Sequence, residues 1–263
     1  MPNFTKYLLQ VMDNNQQFSN YTVLESRQIP AGAISKKFMA GVFLWMFIAL
    51  GISAVFAWMF AANADLQSSL YMLTNKGPRL TGLGMLISFA PLIFVFTMSI
   101  GFNRFSATVL TVLLAAFAAV MGMSLSTLVI TYTSASLLGC FASASVMFGV
   151  MALMGYTTDK DLTSFGSLLT MGLVGIIIAS MINMFLHSEA LYYIVSYVGI
   201  AVFLGLTAYD VQKLKRIGAG IEFEGVSAGD TQKLTVMGAL TLYLDFINLF
   251  ILLLRVFGRR SND

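Results

Sequence analysis

Seven long apolar stretches alternate with short polar ones along the chain. Each is near the ~20 residues that a helix needs to cross ~30 Å of hydrocarbon. They cover residues 38–62, 80–102, 107–130, 137–156, 165–186, 190–209 and 234–257. Such stretches predict an all-α integral membrane protein, because a spanning segment must satisfy its own backbone polar groups. Trp58, near the far end of the first stretch, reads as an interfacial anchor. Pro91, in the middle of the second, frees a carbonyl and predicts a kink. Small residues recur through the third to fifth stretches, as in GMSLS and FASAS, and allow close helix packing in lipid. Residues 1–36 predict a polar, cytoplasmic tail, 37–258 a seven-helix transmembrane domain, and 259–263 a short C-terminal tail. Residues 211–233 carry charges of both signs and read as a solvated connector.

The last stretch, LTLYLDFINLFILLLR, differs from the others. At helical spacing Gly238, Thr241, Asp245, Asn248 and Arg255 share one face, while Leu, Ile and Phe fill the rest. A carboxylate in hydrocarbon costs at least ~2.5 kcal/mol, so this stripe must face protein or water. The other helices are expected to shield it.

Composition agrees with the pattern: hydrophobic residues make up 58% and charged residues 10%, against about 25% charged in soluble domains. The single cysteine, Cys140, rules out an internal disulfide, and the single histidine, His187, rules out a histidine-cluster metal centre. No basic run suits nucleic acid. No short apolar core with a small-residue cleavage site opens the chain, so the first stretch is expected to be the retained insertion signal. With the N-terminus inside, the inner loops collect Lys6, Arg27, Lys36, Lys37, Arg104, Lys160, Lys213, Lys215, Arg216 and Lys233, and the outer loops only Lys76 and Arg79. That asymmetry predicts a cytoplasmic N-terminus. Arg255, Arg259 and Arg260 are the anomaly. A full crossing of the last stretch puts them outside, and a re-entrant last helix would return them inside. Its length favours the crossing.

Of the twelve acids, two fall in the spans away from their outer ends: Asp245, and Asp210 at the inner end of the sixth stretch. An aspartate at a helix end is also an ordinary membrane boundary; one in mid-span is a functional candidate. If the two carboxyls meet, they would share one proton near neutral pH. Singly protonated, the pair clasps two helices; fully ionised, it repels itself. A nearby cation would then capture one carboxylate. Arg104, in the GFNRFS turn, is the candidate, and it reads equally well as an ordinary inside-positive residue. Asp245 lies ~16 Å into its stretch at helical rise, whereas Asp210 is near an edge. They become level only if the sixth stretch extends inward or the seventh starts late.

TAYDVQKLK followed by ALTLYLDFINLFILLLRVFG resembles the signature of the Bax-inhibitor-1 family, also called the transmembrane Bax-inhibitor-motif family. SFAPLIFVFTMSIGFNRFSATVL, GMSLSTLVITYT and GYTTDKDLTSFGSLLTMGLVGIIIASMINMFL resemble its bacterial branch. The resemblance spans roughly residues 35–258. It implies seven transmembrane helices with the last enclosed by the other six, and a pH-sensing pair at Asp210 and Asp245. It further implies a pH-dependent calcium leak, with an arginine near the end of the second helix, matched in position by Arg104, exchanging for one aspartate. Some members carry an acid within the second helix; here residues 90–99 contain none. Calcium wants six to eight oxygens and two carboxylates supply at most four. Thr241, Asn248, backbone carbonyls and water would add the rest, at a weak and transient site that suits passage. No cofactor is expected beyond the permeant ion.

Three rival functions remain. An intramembrane aspartyl protease would also use two aspartates, but Tyr-Leu-Asp-Phe stands where Gly-x-Gly-Asp belongs, and no Pro-Ala-Leu motif is present. No enzymatic activity is expected. Some bacterial relatives modulate a membrane-bound ATP-dependent protease, and the polar N-terminal tail would be the contact for such a partner. A proton-coupled transporter would use the same aspartates, though no inverted repeat supports one.

Overall fold

The computed structural model describes residues 32–74 and 77–261. The predicted tail therefore lies almost entirely outside the described residues. Helix α1 (Ala33–Ala62) is followed by a short α2 (Ala64–Leu70) and a hairpin of β1 (Tyr71–Thr74) and β2 (Gly77–Leu80). Then come α3 (Gly82–Gly101), α4 (Ala107–Thr131), α5 (Ser134–Thr157), α6 (Thr163–Leu186), α7 (Glu189–Glu224) and α8 (Ala228–Phe257). Seven of these helices are long and apolar enough to span a membrane.

Short polar residues set the breaks. Thr81, Ser106, Thr133, Ser188 and Ser227 each accept a backbone N–H from the first turn of α3, α4, α5, α7 and α8, satisfying donors that a helix leaves unpaired. Gly225 ends α7 at φ 65°, a left-handed conformation that glycine adopts without steric cost. Helix α3 runs through Pro91 without interruption.

Helix α8 is the most buried of the seven and α6 the least. It packs chiefly against α1, α4, α5 and α7. Helices α3 and α6 stand behind, on α4 and α7, so the six others surround α8 in two layers. Their outer faces present Phe89, Phe96, Phe165 and Met171 outward, as lipid contact requires. Gly122 on α4 lies against the Ser53 backbone of α1, where a Cβ would come within 2.4 Å of its carbonyl oxygen. Gly155 on α5 lies against Ala208 of α7 in the same way, at 2.2 Å. These two contacts bring helix backbones together by dispersion, with no hydrophobic gain available in lipid.

The expected connector over 211–233 is mostly helical. Helix α7 continues fifteen residues past Tyr209 to Glu224, and α8 starts at Ala228, leaving only 225–227 as a turn. Charge and glycine content suggested a loop because a helix leaving the bilayer carries the same composition. Tertiary contacts hold it helical. Buried Val211, Leu214, Ile217 and Ile221 face the core. Glu222 accepts the Ser35 N–H at 3.3 Å, serving the first turn of α1, whose Gly32 cap has no side chain.

Helix α8 runs the full length of the bundle. Beyond it, residues 259–261 join the turn between α4 and α5: Thr133 N donates to Arg259 O at 3.1 Å, and Ser261 N to Thr131 O at 2.9 Å. That turn lies at the opposite end of α4 from the α3–α4 turn containing Arg104. Helix α8 therefore carries the chain from the α7–α8 turn to the opposite end of the bundle.

Candidate functional site

Asp210 and Asp245 come level because α7 is longer than its apolar stretch. Asp210 lies ~21 Å from the end of α7 at Glu224, and Asp245 ~26 Å from the start of α8 at Ala228. The two helices are antiparallel and joined by a tight turn, so the difference is about one helical turn. Their carboxyl groups stand within hydrogen-bonding reach of each other. Asp245 is buried, at 5% exposure, and Asp210 half-buried. Among the described residues Asp245 Oδ2 has no hydroxyl, amide or cationic donor. Two carboxyls so placed avoid mutual repulsion only by holding a proton between them. The pair joins α7 to α8. Among the described residues no group of three or more His, Cys, Asp or Glu is placed to hold a metal.

The other predicted site residues are arranged differently. Thr241 Oγ1 donates to Met237 O at 3.2 Å, and Asn248 Nδ2 to Leu244 O at 2.9 Å, so both side-chain donors turn back onto α8. Arg104 is exposed in the turn after α3, a helix that packs mainly on α4 rather than on α7 or α8. Among the described residues it forms no ion pair with either aspartate. The cation whose charge acts on Asp210 is Lys213, one turn further along α7.

Sequence reasoning missed a polar clamp next to the pair. Gln212 Oε1 accepts the Leu162 N–H at 2.9 Å while its Nε2 donates to Lys160 O at 2.8 Å. Lys215 Nζ donates to Tyr156 O at 2.7 Å, and Arg216 pairs with Asp161. The α5–α6 loop is thereby fastened across α7 within two turns of Asp210. Hydrogen bonds from the Thr163 hydroxyl and backbone N–H, then from Arg216, lower the Asp161 carboxyl to about 2. The run DVQKLKR carries all the clamp donors of α7, but only its helical continuation could have marked them as one face.

A second unpredicted network lies deeper. Ser53 Oγ donates to Ala118 O at 2.7 Å, which leaves the Tyr243 hydroxyl to donate to Ser53 Oγ, also at 2.7 Å. Tyr243 is fully buried, and its ring meets Phe117 edge-on at 5.2 Å. The network ties α8 to α1 and α4 beside the aspartate pair.

Residues 35–262 match the family described as inhibitor of apoptosis-promoting Bax1. The chain is 45% identical over 223 residues to inner membrane protein YbhL of Escherichia coli K12, covering 85% of this chain and 92% of that one. It is 40% identical over 229 residues to the uncharacterized protein RP147 of Rickettsia prowazekii, covering 86% and 91%. An uncharacterized protein of Caulobacter vibrioides is 33% identical over 252 residues, covering 94% and 98%.

Proposed function

This chain belongs to the Bax inhibitor-1 family, and on that footing we propose that it is a pH-sensitive cation leak channel of the inner membrane, with calcium as the permeant ion. The observation that carries the reading is the meeting of Asp210 and Asp245 on the most buried helix and its neighbour. With one shared proton the carboxyls hold α7 and α8 together. When that proton leaves, two like charges in a poorly solvated site repel, and the clasp becomes two hard oxygen ligands. Those ligands are too few for a storage site. The apolar side chains along α8 form the barrier that closes the path while the clasp is shut.

The loop charges favour a cytoplasmic N-terminus. In that orientation the Gln212–Arg216 clamp lies on the cytoplasmic side of the aspartate pair, between it and the inner surface. Calcium arriving at or leaving the pair passes this clamp, and Lys213 is placed to take one carboxylate when the pair opens.

The test is calcium flux into liposomes holding purified protein, from about pH 5.5 to about 8.5. Wild-type protein is compared with Asp210→Asn and Asp245→Asn. A pH-dependent flux that flattens in both variants is expected. Flux no greater than in empty liposomes at every pH would overturn the channel reading and favour modulation of a membrane-bound protease through the N-terminal tail.

A further inference from the structure

At the end of the bundle away from the clamp, a cavity of about 730 Å³ opens between α6, α7 and α8. Arg255 and Arg260 line it with Asn183, Ser180, Tyr132 and Tyr192. These arginines belong to the trio that runs against the positive-inside pattern of the chain. Three observations show that the cavity is a built feature and not a gap beside a loose tail.

The first is the anchoring of the cationic rim. Arg260 pairs in a β-bridge with Tyr132, and Arg259 N donates to Ser136 Oγ at 2.9 Å. The C-terminal segment is therefore fixed over the cavity by main-chain bonds. The second is the opposite rim, at the α6–α7 turn. Ser188 N donates to Asn183 Oδ1 at 3.0 Å, and His187 takes a left-handed φ of 49°. That turn holds the N-terminus of α7, with its unpaired N–H groups and favourable dipole, at the cavity wall.

The third is charge. Among the described residues neither Arg255 nor Arg260 forms an ion pair. Arg255 lies over the Tyr192 ring at 5.7 Å, which holds its guanidinium in place without neutralising it. Burial and the Tyr192 hydroxyl push the Tyr132 phenol up, while Arg260 and Arg255 both pull it down, so both guanidiniums act on the same interior. Among the described residues Glu189 is the one acid on the wall, against two arginines.

We infer that this cavity binds a phosphate-bearing group, held by Arg255 and Arg260 with hydrogen bonds from the surrounding amide and hydroxyl side chains. Guanidinium forks match phosphate oxygens in geometry and charge. The volume greatly exceeds a bare phosphate ion and admits a glycerol-linked headgroup. The wall tyrosines Tyr132 and Tyr192 sit at the ends of spanning helices, the positions where aromatic side chains commonly meet lipid headgroups. Glu189, at the α7 end, is placed to take an ammonium or hydroxyl substituent of that headgroup.

The experiment compares wild type with Arg255→Gln, Arg260→Gln and Arg79→Gln, each purified into uncharged detergent. Arg79 is exposed in β2, at the same end of the bundle but away from the cavity wall, so its variant controls for simple charge adsorption. Arg260 is exposed, so its replacement leaves the fold intact. Binding is read by native mass spectrometry and by thermal unfolding, with short-chain phosphatidylglycerol in one arm and inorganic phosphate in the other. Phosphatidylglycerol is expected to bind wild type and Arg79→Gln alike, and each cavity variant about tenfold more weakly. The same pattern with inorganic phosphate alone would assign the site to a free anion. Equal binding by all four proteins, or no binding in either arm, would overturn the inference.

Discussion

The Tyr243 hydroxyl meets Ser53 Oγ at 2.7 Å, joining the centre of α8 to α1 two residues before Asp245. Because Ser53 passes its own proton to Ala118 O, the two hydroxyls are not equivalent. Tyr243→Phe removes one donor and leaves Ser53 satisfied, at a cost of about 1 kcal/mol. Ser53→Ala strands a buried phenol and is expected to cost more, about 1–3 kcal/mol. Thermal and denaturant unfolding in detergent measures both. Equal losses would mean that the tyrosine finds another acceptor.

Packing of α7 beside the pair depends on Gly155. A side chain there runs into the Ala208 backbone, two residues from Asp210, whereas nothing lies within 4 Å of the Cβ position at Gly175 on α6. Gly155→Val is expected to destabilise by about 1–3 kcal/mol, and Gly175→Val by far less. If Gly155→Val unfolds like wild type, the close α5–α7 approach is wrong.

The cation that exchanges with the pair is testable by substitution. Lys213→Gln removes the positive charge acting on Asp210 and should move the midpoint of the flux profile to higher pH, since an ionised pair loses its nearest compensation. Arg104→Gln should leave the midpoint in place. A shift with Arg104→Gln alone would favour the arginine latch over Lys213.

Acid should release the α5–α6 loop before it affects the core. The Asp161 carboxyl is lowered to about 2, below the ordinary ~3.9. Its contribution is complete above the ordinary value and fades as pH falls from about 4 to about 2. Asp161 is exposed, so the effect is local to the loop. Amide exchange at Thr163, whose N–H donates to Asp161 Oδ1 at 2.9 Å, should quicken across that window relative to amides of the core helices. In Arg216→Gln the quickening should begin at higher pH. A Thr163 amide that tracks the core would show that the carboxylate contact does not hold the loop.

The one-dimensional pattern determined the membrane class, the seven spans and the isolation of Asp245, because hydrocarbon imposes length and polarity rules that each segment must meet alone. It also determined that Asp210 and Asp245 were the acids to watch, and the family signature lies in the residues around them. Only the tertiary structure decided that they meet. Their level depends on α7 continuing past Tyr209, and a water-exposed helix face and a solvated loop have the same composition. What distinguishes them is contact with distant partners: Ser35 for Glu222, Leu162 and Lys160 for Gln212. For the same reason only the fold shows that Arg104 stands exposed after a helix packed mainly on α4, while the charge of Lys213, one turn along α7, acts on Asp210. Arg255 and Arg260 were legible as a charge anomaly. The cavity that gives them a use exists only where the ends of three helices and the C-terminal segment converge.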